Sequence, residues 1–428
     1  MNPSQVYFSN TPILNHSSLN ANWLLISTYL KNSDDKNPFI YFSKEEANTI
    51  VDSLYSVKKD TTIKIIDNNN PNVVLFIIES FTADVVAELE GEVNVTPHFS
   101  KIIEDGLLFT NIYSSSDRTD KGIISILSAF PSQGSKSIIK ENEKQEKLPS
   151  IPTELRKATY NTSFFYGGYS EFSNFKSYIL SHQFQHLEDA DLYERKDLTS
   201  KWGAYDEVTF NRHLNYLNKE KQPFFSTLLT LTNHEPFALP QKGQFGNKTV
   251  EDKFRSTSYY TSKHLFEYLN KAKKESWYKN TIFIFVADHG HRLPKNENEI
   301  YNPNRYHIPL LIYGEPLKKE FRGKKINTIG NQTDIAATLL AQLNLSSKQF
   351  KYSKNLMNPY AKSFSFYVWQ DGFGFIDHQG SLSFDREANK TIYTNPKNIQ
   401  QNQYKYYLNN GKALMQSVYQ NYLDNQYQ

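Results

Sequence analysis

The chain has no cysteine among its 428 residues, which excludes disulfides, cysteine-zinc sites and a thiol nucleophile together. Long apolar runs are missing too. The longest, Val73 to Ile78, falls far short of the roughly 20 residues needed to cross a bilayer as a helix. The opening Met1-Asn-Pro-Ser-Gln5 has neither the positive charge nor the apolar stretch of a signal peptide. Nor is one sign of charge in excess: 48 Lys and Arg face 45 Asp and Glu, for a net +3, which excludes the basic surface of a nucleic-acid binder. What is abundant is aromatic: 29 Tyr and 29 Phe supply a large core, and the length suffices for one large α/β domain with an appendage.

Short apolar runs recur along the middle of the chain, at Val73–Ile78, Thr162–Tyr166, Phe224–Thr230, Thr281–Ala287 and Ile308–Tyr313. Uninterrupted runs of this length read as strands buried on both faces, as in parallel sheets. Helical patterns fall between them, at Pro97–Asp105, Lys121–Leu127, Asp206–Asn218 and Thr257–Lys274. The alternation predicts an α/β fold with a doubly wound, mostly parallel sheet and helices on both faces. Residues 1–70 carry helical patches at Leu19–Tyr29 and Glu45–Tyr55. From about Ser363 the pattern changes to period two, at Phe364–Trp369, Phe373–Ile376 and Ser381–Phe384, with a polar helix near Asn410–Leu423. These shifts predict an N-terminal segment (1–70), a catalytic α/β domain (71–362), and a small C-terminal antiparallel sheet with a helix (363–428).

Charged residues directly after buried parallel strands emerge at the carboxyl edge of the sheet, where α/β folds bind ligands. Glu79 closes Val73–Ile78, and Asp288-His289 closes Thr281–Ala287. Taken singly, Glu79 is equally a helix cap and Asp-His-Gly a turn. Thr119 precedes the helical Lys121–Leu127, where it is either an N-cap or a hydroxyl beside the positive end of a helix. Arg118 and Lys121 flank it and suit an anionic group. Two carboxylates, an imidazole and a hydroxyl form a hard site for Mn²⁺, Mg²⁺ or Zn²⁺, able to acidify Thr119 into a nucleophile.

The order of Asn72-Val-Val-Leu-Phe-Ile-Ile-Glu79-Ser-Phe81, Thr96-Pro-His-Phe99 and Gly106-Leu-Leu-Phe-Thr-Asn111 resembles the sulfatase-like branch of the alkaline phosphatase superfamily. Ala287-Asp-His-Gly290, Ile308-Pro-Leu-Leu-Ile-Tyr-Gly314 and Gln332-Thr-Asp-Ile-Ala-Ala-Thr-Leu-Leu340 continue it. Thr119 and Leu231-Thr-Asn-His-Glu-Pro-Phe237 are most similar to lipoteichoic acid synthases and related phosphoglycerol transferases. The resemblance implies a metal site at Glu79, Thr119, Asp288 and His289, with Mn²⁺ favoured. It implies Thr119 as nucleophile, and His234 as a phosphate-binding group or general acid/base. Its implied partners are a phospholipid headgroup donor, a hydroxyl acceptor such as a glycan or polymer, and a membrane surface. The implied location is extracytoplasmic, as the domain of a membrane-anchored protein.

Departures from the family pattern matter. The Cys/Ser-x-Pro-x-Arg context of true sulfatases is absent around Thr119. Asp117-Arg118 stands where lipoteichoic acid synthases carry Gly-Lys, and the Trp and Arg that read glycerol phosphate there have no counterpart in Tyr166–Lys176. His291 and Arg292, just after the metal-site histidine, are candidate substrate contacts. His307 is a further candidate, with a structural hydrogen bond as the competing reading. The expected activity is a metal-dependent phosphoglycerol transfer through phospho-Thr119, with a hydrolase or a phosphoethanolamine transferase as alternatives.

Overall fold

The computed structural model describes residues 36–425 except Asn69, together with Phe8, Ser9, Leu14, Ser18, Asn20 and Asn22. Of the helical patch expected at Leu19–Tyr29, all but Asn20 and Asn22 lies outside the described residues. The second patch is present as α1 (Lys44–Tyr55), whose N-cap Ser43 accepts from the Glu46 amide.

All five apolar runs form strands of one eight-stranded sheet: β1 (Asn72–Ile78), β3 (Asn161–Tyr166), β5 (Phe224–Leu229), β6 (Thr281–Ala287) and β7 (His307–Tyr313). Three strands that the apolar runs do not mark complete it: β2 (Leu107–Tyr113), β4 (His186–Glu188) and β8 (Lys324–Asn331). The order is β4-β3-β5-β1-β6-β7-β2-β8. β8 is a sheet edge and carries polar, exposed residues over its first half, so it has no apolar run to find. One expectation is corrected. β7 is antiparallel to both neighbours, β6 and β2, whereas its apolar run reads like those of the parallel strands. Burial on both faces sets the composition of a strand; its direction is set by the connection that leads into it.

β1 and β6 lie side by side in register, Val73 against Ile282 through Ile78 against Ala287, and every residue of both is buried. Their alternating side chains serve opposite layers. Phe76 stacks on Phe285 and meets Phe210 and Tyr268. Those two belong to α7 (Asp206–Leu217) and α8 (Val250–Ala272), the latter opened by a Thr249/Asp252 capping box. On the other face Val73, Ile282 and Ile284 line an apolar cavity together with Ile335 and Leu339 of α9 (Ile335–Gln342). The sheet is therefore covered on both sides, as a doubly wound fold requires. Four shorter helices, α2 (Pro97–Ile103), α3 (Thr119–Ser128), α5 (Ile151–Lys157) and α6 (Phe175–Ser181), with the one-turn α4 (Asn142–Gln145), complete this part.

The C-terminal strands β9 (Phe364–Trp369), β10 (Gly372–Asp377), β11 (Gly380–Asp385) and β12 (Lys390–Asn395) form an antiparallel meander, and α10 (Gln401–Asp424) packs on it. This sheet backs the loop that leads to Thr119: the Val368 amide donates to the Ser115 carbonyl at 2.9 Å. Asn331 at the end of β8 reaches the Phe366 carbonyl at 2.8 Å. The Gln416 side chain of α10 ties down Tyr41 and Phe42, so residues before β1 share the same core.

Candidate metal centre and active site

The carboxyl ends of β1 and β6 deliver Glu79 and Asp288-His289 to one point, because the two strands are neighbours in register. Glu79 and His289 are nearly buried and Asp288 wholly so. The ligand atoms of Glu79, Asp288 and His289 all lie within 4.8 Å of one another, the spread expected of a single cation with bonds near 2.0–2.2 Å. His289 Nε2 stands 3.6 Å from Glu79 Oε1 and 3.4 Å from Asp288 Oδ2.

Thr119 joins this cluster from α3. The helix N-cap is Arg118, with extended backbone and no side-chain capping bond, and Thr119 is the first helical residue. Its hydroxyl therefore does not cap the helix; it donates to Glu79 Oε2 at 3.2 Å. Gly122, one turn on, explains how α3 comes so near. A Cβ there would stand 2.0 Å from the Asp288 carbonyl oxygen, so only glycine admits the strand end.

The surroundings orient each ligand. The Ser80 and His289 amides both donate to Asp288 Oδ1 at 2.8 Å. Ser80, held at φ 54°, also donates its hydroxyl to Glu79 Oε1 at 2.9 Å. Asn233, fully buried, holds the Glu79 carbonyl at 3.2 Å, and Gln332 holds the Asp288 carbonyl at 2.9 Å. His289 Nδ1–H donates to the Gly290 carbonyl at 2.8 Å, so Nε2, the atom facing the carboxylates, is the one that would give its lone pair to a bound cation. Asp288 Oδ2 is left buried without a hydrogen bond. An orphaned carboxylate oxygen costs several kcal/mol unless a cation meets it.

The electrostatics ask for the same thing. Burial and the neighbouring Glu79 charge push Asp288 up. Burial would also raise Glu79, but the His289 hydrogen bond and charge overcome it and hold Glu79 low. His289 goes well up: burial opposes its charge, yet Asp288 and Glu79 win. An imidazolium thus stands in for positive charge that a divalent cation would supply. The residues fit such an ion: Glu79, Asp288 and His289 would hold it, with the Thr119 hydroxyl beside them.

The other expected site residues are placed as follows. His234 is half-buried, with Nδ1 3.0 Å from the Glu235 carbonyl. Arg118 is exposed. Lys121 turns its ammonium onto the Gly134 carbonyl. Arg292 is exposed and donates to Asn296 at 3.0 Å. His291 stacks on Phe254 at 4.9 Å and accepts the Leu293 amide at Nδ1, which puts its proton on Nε2; burial pushes it down to about 3, so it stays neutral. His307 meets the Thr110 carbonyl at 2.8 Å and stacks on Tyr113 at 5.2 Å, a structural arrangement at the start of β7.

Ser80, Asn233, Gln332 and Trp202 escape sequence reasoning. Asn233 and Gln332 sit inside quoted motifs, and only their contacts reveal their work. Trp202 approaches His234 from a different loop, ring centroids 4.7 Å apart, and nothing local to its sequence marks it. A second carboxylate group, Glu171, Asp189 and Asp191, is met by Lys176, 2.6 Å from Glu171 and 3.7 Å from Asp191.

Sheet, cluster and flanking helices define an alkaline phosphatase-like fold. A member of that superfamily from Vibrio parahaemolyticus superposes with a TM-score of 0.77 at 23% identity, covering 91% of this chain and 98% of that one. A lipoteichoic acid synthase from Listeria monocytogenes gives 0.72 at 17% identity, over 89% of this chain and 98% of that one. The chain belongs to the sulfatase family, whose model matches residues 71–345. Its curated relatives include lipoteichoic acid synthase 2 of Bacillus subtilis (strain 168), 23% identical over 77% of this chain and 50% of that protein. Lipoteichoic acid synthase of Staphylococcus aureus (strain USA300) is 27% identical over 63% of this chain and 42% of that protein. The chain thus spans half or less of the length of these relatives. Among the described residues no helix is long and apolar enough to cross a membrane.

Proposed function

We propose that the chain is the catalytic domain of a phosphoglycerol-type transferase that works outside the cytoplasmic membrane. It moves a phosphoryl headgroup from a phospholipid such as phosphatidylglycerol to a hydroxyl acceptor on a glycan or polymer. The observation that carries this reading is the Thr119 hydroxyl, 3.2 Å from Glu79 and beside the buried carboxylate–imidazole cluster of Glu79, Asp288 and His289. The similarity to lipoteichoic acid synthases supports the donor class.

Glu79, Asp288 and His289 would hold a divalent cation such as Mn²⁺, which would supply Lewis-acid charge to lower the Thr119 pKa and offset the charge of the phosphate. Thr119 Oγ1 forms the new bond to phosphorus as the bond from phosphorus to the diacylglycerol oxygen breaks, and the threonine proton passes to solvent. His234, protonated at Nε2 while Nδ1–H rests on the Glu235 carbonyl, gives its proton to that leaving oxygen. In the second half the neutral His234 takes the proton of the acceptor hydroxyl. The acceptor oxygen then bonds to phosphorus as the phosphorus–Oγ1 bond breaks and Thr119 regains a proton. Arg118, exposed beside the nucleophile, and the neutral His291 Nε2–H are the proposed donors to the phosphate oxygens.

The test is donor carrying a labelled glycerol headgroup, offered with Mn²⁺ and either a glycolipid acceptor or water alone. The expected result is labelled Thr119 in the trapped protein and transfer to the acceptor. Thr119→Ala should lower turnover by about 1,000-fold or more while Mn²⁺ affinity and melting temperature hold. Wild-type turnover in that variant would sink the scheme, and label released only as free glycerol phosphate would make the chain a hydrolase.

A further inference from the structure

A loop imidazole serves as a proton carrier only when its ring is held in one orientation and one tautomer. His234 Nδ1 lies 3.0 Å from the Glu235 carbonyl, and the indole N–H of Trp202 donates to that same oxygen at 2.6 Å. One carbonyl takes two N–H donors, which occupies both its lone pairs. The two rings also touch directly, edge to face, at 4.7 Å and 64°.

The loop carrying Trp202 is built to present it. Ser200 Oγ accepts the Trp202 and Gly203 amides at 3.2 and 3.0 Å and donates to the Gly203 carbonyl at 2.8 Å. Gly203 has φ +144°, and a Cβ there would stand 2.1 Å from the Gly167 carbonyl oxygen. Only glycine therefore permits the Gly168–Gly203 bridge that fastens this loop just beyond the end of β3. Phe172, at 6.0 Å between ring centroids, and the Lys201 ammonium, 4.8 Å from the indole centroid, pack on Trp202 as well.

We propose that Trp202 is the positioning residue for His234: through the shared Glu235 carbonyl and the ring contact it fixes the imidazole with its proton on Nδ1 and presents Nε2 to the substrate. This rests on His234 being the acid/base of the reaction above. Displacing a reacting group by about 1 Å costs on the order of 100-fold, so Trp202→Phe, which keeps a ring and loses the N–H, should lower kcat about 10- to 100-fold with KM for the donor little changed. In a His234→Gln background the same substitution should cost nothing further, because the group it positions is gone. A second measurement needs no turnover. The His234 Nδ1–H should give a slowly exchanging nitrogen-15-coupled proton signal in the metal-free protein, exchanging at least about tenfold faster in Trp202→Phe. An equal loss in both backgrounds, or an unchanged exchange rate, would overturn the proposal. Full activity of His234→Gln would instead remove the catalytic role of His234, and the exchange rate would still decide what Trp202 does.

Discussion

The two sheets of this molecule treat polar groups in opposite ways. In the small C-terminal sheet, Phe375 stacks on Phe364 at 5.5 Å, and the Tyr367 hydroxyl is satisfied by Ser383 and the Tyr301 carbonyl, each at 2.8 Å. At the carboxyl edge of the large sheet, Glu79, Asp288 and His289 crowd together, and Asp288 keeps a buried oxygen without a hydrogen bond. The first arrangement maximises packing. The second keeps an unmet charge demand in place because the strands beneath it are rigid, and that demand is what a cation and an anionic substrate can answer.

If that contrast holds, damage to one sheet should separate from damage to the other. Phe375→Ala empties a fully buried site and should cost about 3–5 kcal/mol of stability, with turnover per folded molecule unchanged. Denaturant titration beside a turnover assay checks it, and a large fall in kcat at full folding would join the two regions. Gly122→Ala should show the reverse balance. Its Cβ would meet the Asp288 carbonyl at 2.0 Å, so α3 and the end of β6 must separate. We expect about 1–3 kcal/mol of destabilisation, and a roughly 100-fold loss of turnover with weaker Mn²⁺ binding.

A pH slope belongs to the scaffold of the large sheet and not to its edge. His182 and His213 are buried, and burial pushes them down to about 4 and about 3. Unfolded, each titrates near 6.5, so below that pH the unfolded chain binds more protons than the folded one. Stability is then complete above about pH 6.5 and should fall as pH drops towards 4 and 3, by about 2 kcal/mol per histidine at pH 5. Denaturant midpoints between pH 7 and 5 measure this, and a flat profile would mean that these rings are protonated in the fold.

Much of this was legible along the chain. Each uninterrupted apolar run became a strand of the large sheet, and the period-two stretches became β9, β10 and β11. Burial on both faces imposes the first pattern and burial on alternate residues the second. β4, with three residues, and β8, polar at the sheet margin, gave no such signal. β12, half-exposed along its length, was likewise silent. Glu79, Asp288 and His289 were readable as candidates for the sheet edge because a charge right after a buried strand has few other places to go. Their convergence with Thr119 needed Gly122 and the side-by-side pairing of β1 with β6.

By itself, then, the sequence determined the fold class, the strand-end positions of Glu79, Asp288 and His289, and the absence of thiol chemistry. These follow from composition and from periodicities set by neighbours along the chain. Tertiary structure alone decided the reversal of β7, the diversion of Lys121 onto Gly134 and of His307 onto Thr110, and the arrival of Trp202 beside His234. Each of these depends on contacts between segments far apart in the chain, and local periodicity carries no record of which segments will meet.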